Sequence, residues 1–84
     1  MNFKKALKFH QNEDLEEARK YYLLNLTDNP KHYETLFNLG MLELQLNKYD
    51  SAQYYFNEII SINPNDVNTI ANLGICFNKI GLFC

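Results

Sequence analysis

Two asparagines stand 34 residues apart, each followed by the same dipeptide: Asn38-Leu39-Gly40 and Asn72-Leu73-Gly74. A carboxamide carries both a donor and an acceptor, so it can pair with a peptide group whatever side chain that group bears. The chemistry these residues suit is recognition. Covalent chemistry has no comparable candidates. The histidines are His10 and His32; neither has a Cys or His partner at ligand spacing, and Asp14 lies four residues beyond His10. Ser51 and Ser61 lie beyond local reach of either histidine, and no glycine-rich phosphate loop is present. The residues therefore predict no catalytic group, no metal and no cofactor.

The asparagine spacing belongs to a wider echo. Asn29-Pro30 returns as Asn63-Pro64, Thr35 as Thr69, Ala18 as Ala52, and Tyr21-Tyr22 as Tyr55-Phe56; Ala6 stands where Gly40 and Gly74 later stand. A period in the mid-thirties marks stacked units, each too small to bury its own apolar face. Within each period apolar residues recur at spacings of three and four, which predicts helices. Phe3, Ala6, Leu7 and Phe9 place one at about 2–11. Asn12 can cap a second at 13–27, carrying Leu15, Ala18, Tyr22 and Leu26. Glu13, Asp14, Glu16 and Glu17 fall in its first turn, where the helix dipole favours carboxylates. Asp28-Asn29-Pro30 ends it. A third helix, 31–46, carries Leu36, Leu39, Leu42 and Leu46, with Pro30 suited to its opening turn. Asn47-Lys48 turns the chain, asparagine tolerating the left-handed region. Tyr49, Ala52, Phe56 and Ile59 place a fourth at 49–61. Ile70, Leu73, Phe77 and Ile80 place a fifth at 66–80, ended by Gly81. No segment alternates over a strand's length, so the expectation is an all-α fold of antiparallel hairpins with short loops. A helical glycine costs about 1 kcal/mol relative to alanine. Gly40 and Gly74, with Ala6, are therefore expected where the first helix of a unit crosses the second, facing Ala18 or Ala52.

Phe37-Asn38-Leu39-Gly40, followed by Tyr49, Ala52, Phe56 and Pro64, resembles the tetratricopeptide repeat (TPR). The family pattern is a large apolar residue, Leu-Gly, a distal Ala-x-x-x-Phe and a closing Pro. The resemblance covers nearly the whole chain and implies one domain, residues 1–84, folded as a right-handed solenoid. Residues 1–32 would be a first repeat lacking its start, 33–66 a complete repeat, and 67–84 half of a third. Leu36 and Ile70 stand where the family often has Trp, Glu43 where a large apolar residue is usual, and Asn25 and Ile59 where a small one is.

The resemblance also implies a function: binding an extended peptide or a partner helix on a concave face, without catalysis. That face would carry Phe37, Asn38, Met41, Leu44 and Gln45 from the third helix, and Asn68, Asn72, Ile75 and Asn78 from the fifth. Asn38 and Asn72 are similar to the asparagine ladder that binds peptide backbone in the TPR arm of O-linked N-acetylglucosamine transferase. Lys4 interrupts the ladder in the first unit, and a structural role for both asparagines is the alternative. The carboxylate clamp of chaperone-binding members maps to Phe3, Leu7, Asn38, Asn68 and Asn72; Asn38 alone agrees, and an anionic C-terminus would find no cation. A rival reading rests on Leu7-Lys8-Phe9-His10-Gln11 and Leu15-Glu16-Glu17-Ala18, which are similar to the opening of non-catalytic TPR arms fused to bacterial glycosyl- or sulfotransferases.

Charge and apolar runs narrow the partners. The net charge is −2 with no basic block, which disfavours nucleic acid. No run approaches the ~18 apolar residues of a membrane span, and Lys8, His10 and Gln11 break any signal-peptide core. Cys76 and Cys84 lack metal or disulfide-motif spacing; Cys76 reads as a small apolar helix residue, and a reduced, cytoplasmic setting is expected. The fifth helix has no hairpin partner, so Leu73, Cys76, Phe77 and Ile80 are expected partly bare. A longer array or self-association through that helix would cover them.

Overall fold

The expected helices form, and the turns between them are set by a backbone motif that itself repeats. In the computed structural model the elements are α1 (Asn2–Gln11), α2 (Leu15–Asp28), α3 (Tyr33–Gln45), α4 (Tyr49–Ile62) and α5 (Val67–Leu82). The structure describes the backbone of residues 2–82 and the side chains of residues 2–79. The expectations for the Ile80 side chain and for Cys84 lie outside that range. Among the described residues there is no strand, and each helix packs on the next in chain order. The fold is an all-α helical-repeat solenoid, with principal extents of 37 × 25 × 18 Å.

The α1–α2 and α3–α4 turns are the same turn, one repeat apart. Asp14 N–H donates to Phe9 C=O (2.9 Å) while Glu13 N–H donates to His10 C=O (3.0 Å). Lys48 N–H likewise donates to Glu43 C=O (2.8 Å) and Asn47 N–H to Leu44 C=O (3.0 Å). This paired pattern closes a helix when the residue after its cap adopts the left-handed conformation. Asn47 (φ 60°) and Glu13 (φ 61°) both do so. The expected start of α2 at residue 13 is thereby corrected. Glu13 belongs to the turn, Asn12 does not cap α2, and Asp14 stands at the N-cap.

Three further boundaries are corrected. α3 begins at Tyr33, not 31: Pro30 and Lys31 form a turn in which His32 N–H donates to Asn29 C=O (3.1 Å), and His32 is the N-cap. Asp66 lies just outside α5, its Oδ1 accepting from Thr69 N–H (3.1 Å) as an N-cap side chain does. Gly81 does not end α5, which runs on through Leu82.

The core divides into two clusters that echo each other. Ala6, Ala18, Tyr22, Leu39 and Leu42 bury one; Leu36, Ala52, Phe56, Ile59 and Cys76 bury the other, with Leu73 packed against it. Phe3 packs on Tyr22 at 6.3 Å between ring centroids, as Phe37 packs on Phe56 at 6.0 Å. Cys76, expected partly bare, is instead fully buried in the second cluster, and burial pushes its thiol pKa up. A Cβ built on Gly40 would lie 2.6 Å from the Phe56 ring, so the steric reason for a helical glycine holds there. It does not hold at Gly74, where a Cβ would meet nothing within 4 Å, since no described helix crosses α5 on that side.

Candidate functional site

The residues that open onto a hollow come from the starts of α3 and α5. Glu34, Phe37 and Asn38 lie three and four apart on α3, which puts them on one face. With Tyr33 before them, and Asp66 and Asn68 from the start of α5, they line an open hollow of about 260 Å³. Asn38 is half-buried and Asn68 exposed. Asn72, half-buried, lies one turn beyond Asn68 on the same face of α5 but does not line the hollow. Among the described residues neither the Asn38 nor the Asn72 carboxamide has a hydrogen-bond partner. Each thus holds an unused donor and acceptor.

The other residues expected on this face fare differently. Phe37, Met41 and Leu44 are half-buried against the second core cluster, where Phe37 meets Phe56 edge-on. Gln45 is exposed but engaged: its Oε1 lies 2.6 Å from His10 Nε2, whose ring in turn lies 2.8 Å from the Tyr22 hydroxyl through Nδ1. With a carboxamide oxygen facing Nε2, that nitrogen carries the proton, and Nδ1 accepts from Tyr22 O–H. This bridge ties α1, α2 and α3 together. Burial pushes the Tyr22 phenol up to about 12. Ile75, 47% exposed, and Asn78 stand open on α5.

Two polar arrangements escape a reading of the sequence. Glu43 is fully buried and accepts from Arg19 Nε at 3.0 Å, while its second oxygen has no partner. Arg19, raised in pKa chiefly by that hydrogen bond, is 32% exposed. The only signal is that Glu43 interrupts an apolar face. The other arrangement centres on the buried Thr35 hydroxyl, which lies 2.6 Å from His32 Nδ1 and accepts from Asn25 Nδ2 at 2.7 Å. One repeat later Ile59 replaces Asn25 and Asp66 replaces His32; the Thr69 hydroxyl there is buried without a partner. Both histidines are therefore occupied by internal hydrogen bonds. Among the described residues no three His, Cys, Asp or Glu side chains gather as a metal site would require, and no helix is long and apolar enough to cross a membrane.

Known proteins share parts of this sequence and this fold. Residues 33–66 match the family model described as "Tetratricopeptide repeat". Anaphase-promoting complex subunit 3 of Schizosaccharomyces pombe is 28% identical over 81% of this chain, and a protein CTR9 homolog of Arabidopsis thaliana 26% identical over 90%. The matched stretch is 10% of the first relative's length and 7% of the second's. A tetratricopeptide repeat protein from Parabacteroides merdae superposes over 98% of this chain and 32% of its own, with a TM-score of 0.87 and 27% identity. Residues 33–66 are thus similar to a tetratricopeptide repeat, and the chain carries an all-α helical-repeat fold over nearly its whole length.

Proposed function

We propose that this chain is a protein-interaction module that binds an extended peptide across α3 and α5, with Asn38 and Asn72 pairing with the peptide backbone. The observation that carries this reading is the pair of half-buried carboxamides, one repeat apart, left without partners beside an open hollow. A polar group held partly out of water without a partner gains when a ligand supplies one. Backbone pairing would make binding tolerant of peptide sequence, because the peptide group is common to all. One relative's name makes it a subunit of a complex, in keeping with a binding role. Since the chain spans a small part of its relatives, the same face would serve as a docking arm in a larger protein, a transferase included. A reduced, cytoplasmic setting is part of the same proposal, since an unpaired thiol such as Cys76 suits it.

The test is a display library of random peptides panned on the whole chain, followed by NMR mapping of the enriched ones. The expected result is that shifts concentrate on the Asn38, Asn68 and Asn72 side-chain amides. Enriched peptides that shift only α2 and α4 would overturn the reading.

A further inference from the structure

The hollow itself has a chemistry that backbone pairing does not use. Its lining combines two aromatic rings, Tyr33 and Phe37, with two carboxylates, Glu34 and Asp66, and two carboxamides, Asn38 and Asn68. No lysine or arginine is among the lining residues. Asp66 spends one oxygen on the Thr69 N–H, which fixes its carboxylate at the helix start and leaves the other oxygen unpaired in that bond. Aromatic rings attract a cation placed over their faces, and both Tyr33 and Phe37 line the hollow. A space of about 260 Å³ admits one side chain.

We infer that this hollow is a specificity pocket for a basic side chain of the bound peptide, arginine above all. The inference rests on the peptide-binding reading and adds the class of residue read. Guanidinium is favoured over ammonium on physical grounds. It is planar and stacks on an aromatic face; it offers five donors to carboxylate and carboxamide oxygens; and it is more weakly hydrated, so giving up part of its water in the open hollow costs it less. An acidic side chain would meet two like charges and lose its water. An apolar one would leave both carboxylates facing it.

Blocked single amino acids test the pocket apart from the backbone ladder. N-acetyl N-methylamides of arginine, lysine, norleucine and glutamate are titrated into the whole chain and followed by NMR. Arginine is expected to shift the Asn38 and Asn68 side-chain amides and the Tyr33 and Phe37 rings in a saturable way, lysine more weakly, and norleucine and glutamate not at all. Glu34→Gln and Asp66→Asn together should weaken arginine at least tenfold. Asparagine at 66 retains the capping oxygen, so α5 should persist. Added salt should weaken arginine as well. Norleucine binding as tightly as arginine, or arginine leaving the hollow unshifted, would overturn the inference, and that comparison needs no variant. Panned peptides separate the two proposals. Peptides that engage Asn38 and Asn72 without enrichment in arginine or lysine would sink the pocket and leave the peptide-binding reading standing. Blocked arginine that saturates the pocket while no peptide engages the asparagines would sink the backbone pairing and leave the hollow only as a site for a guanidinium group.

Discussion

Two buried side chains carry more of this molecule's stability logic than their types suggest. Glu43 is buried with one oxygen bound to Arg19 and the other unpartnered. Removing one partner of a buried pair leaves an uncompensated charge, whereas replacing the charge with an apolar side chain removes the problem. Arg19→Ala should therefore cost about 3 kcal/mol, the low end of the usual range because Arg19 is partly exposed. Glu43→Leu should be neutral or stabilising by about 1 kcal/mol or more. Thermal melts of the two variants decide; a harmless Arg19→Ala would show that Glu43 does not depend on it. Tyr22 gives a pH test. Burial disfavours its phenolate, so its pKa lies at about 12 folded against 10 unfolded. The folded state holds the proton more tightly, so stability is intact below pH 10 and falls as pH rises toward 12, by roughly 2–3 kcal/mol. Tyr22→Phe should lose about 0.5–1.5 kcal/mol at neutral pH with the His10 hydrogen bond, yet escape this alkaline loss. Denaturant titrations of both proteins at neutral and alkaline pH measure the difference; identical pH slopes would contradict the assignment.

At the scale of elements, Gly40 and Gly74 occupy the same repeat position with opposite consequences. A Cβ on Gly40 falls 2.6 Å from the Phe56 ring, and on Gly74 it falls in open space. Gly40→Ala should force α3 and α4 apart at a cost of about 1–3 kcal/mol, and Gly40→Leu should cost more. Gly74→Ala should stabilise by up to about 1 kcal/mol through helix propensity alone. Equal melting temperatures for Gly40→Ala and Gly74→Ala would contradict the placement of α4. Most of the helical architecture was legible in the sequence, because the apolar spacing and the Asn-Pro breaks repeat. What escaped it was local. Glu13 takes a left-handed conformation that a glutamate does not advertise, whereas the asparagine at 47 does. Asn38 and Asn68 were visible because they fall on one face of periodic helices. Tyr33 and Asp66 were not, because the hollow they line exists only once two successive units stack.

On the scale of the whole molecule, two surfaces remain available to partners. One is the far side of α5, where Val67, Ile70 and Phe77 are 75%, 50% and 55% exposed. Their counterparts one repeat earlier are Tyr33, Leu36 and Glu43, of which Leu36 is buried with the α4 residues Ala52, Phe56 and Ile59. Exposed apolar residues along one helix call for a cover. Appending a copy of α4 after the last residue should raise the melting temperature and abolish any concentration-dependent association; sedimentation of a clean monomer that gains nothing from the added helix would reject this. The other surface is the α3–α5 face, and it bears the central claim. Calorimetric titration of one panned peptide into wild type, Asn38→Ala and Asn72→Ala, with melts alongside, tests it most directly. Each substitution should weaken binding by about 0.5–1.5 kcal/mol while leaving the melting temperature nearly unchanged, since neither carboxamide has an internal partner to lose. Variants that melt early yet bind normally once folded would make both asparagines structural and contradict the account.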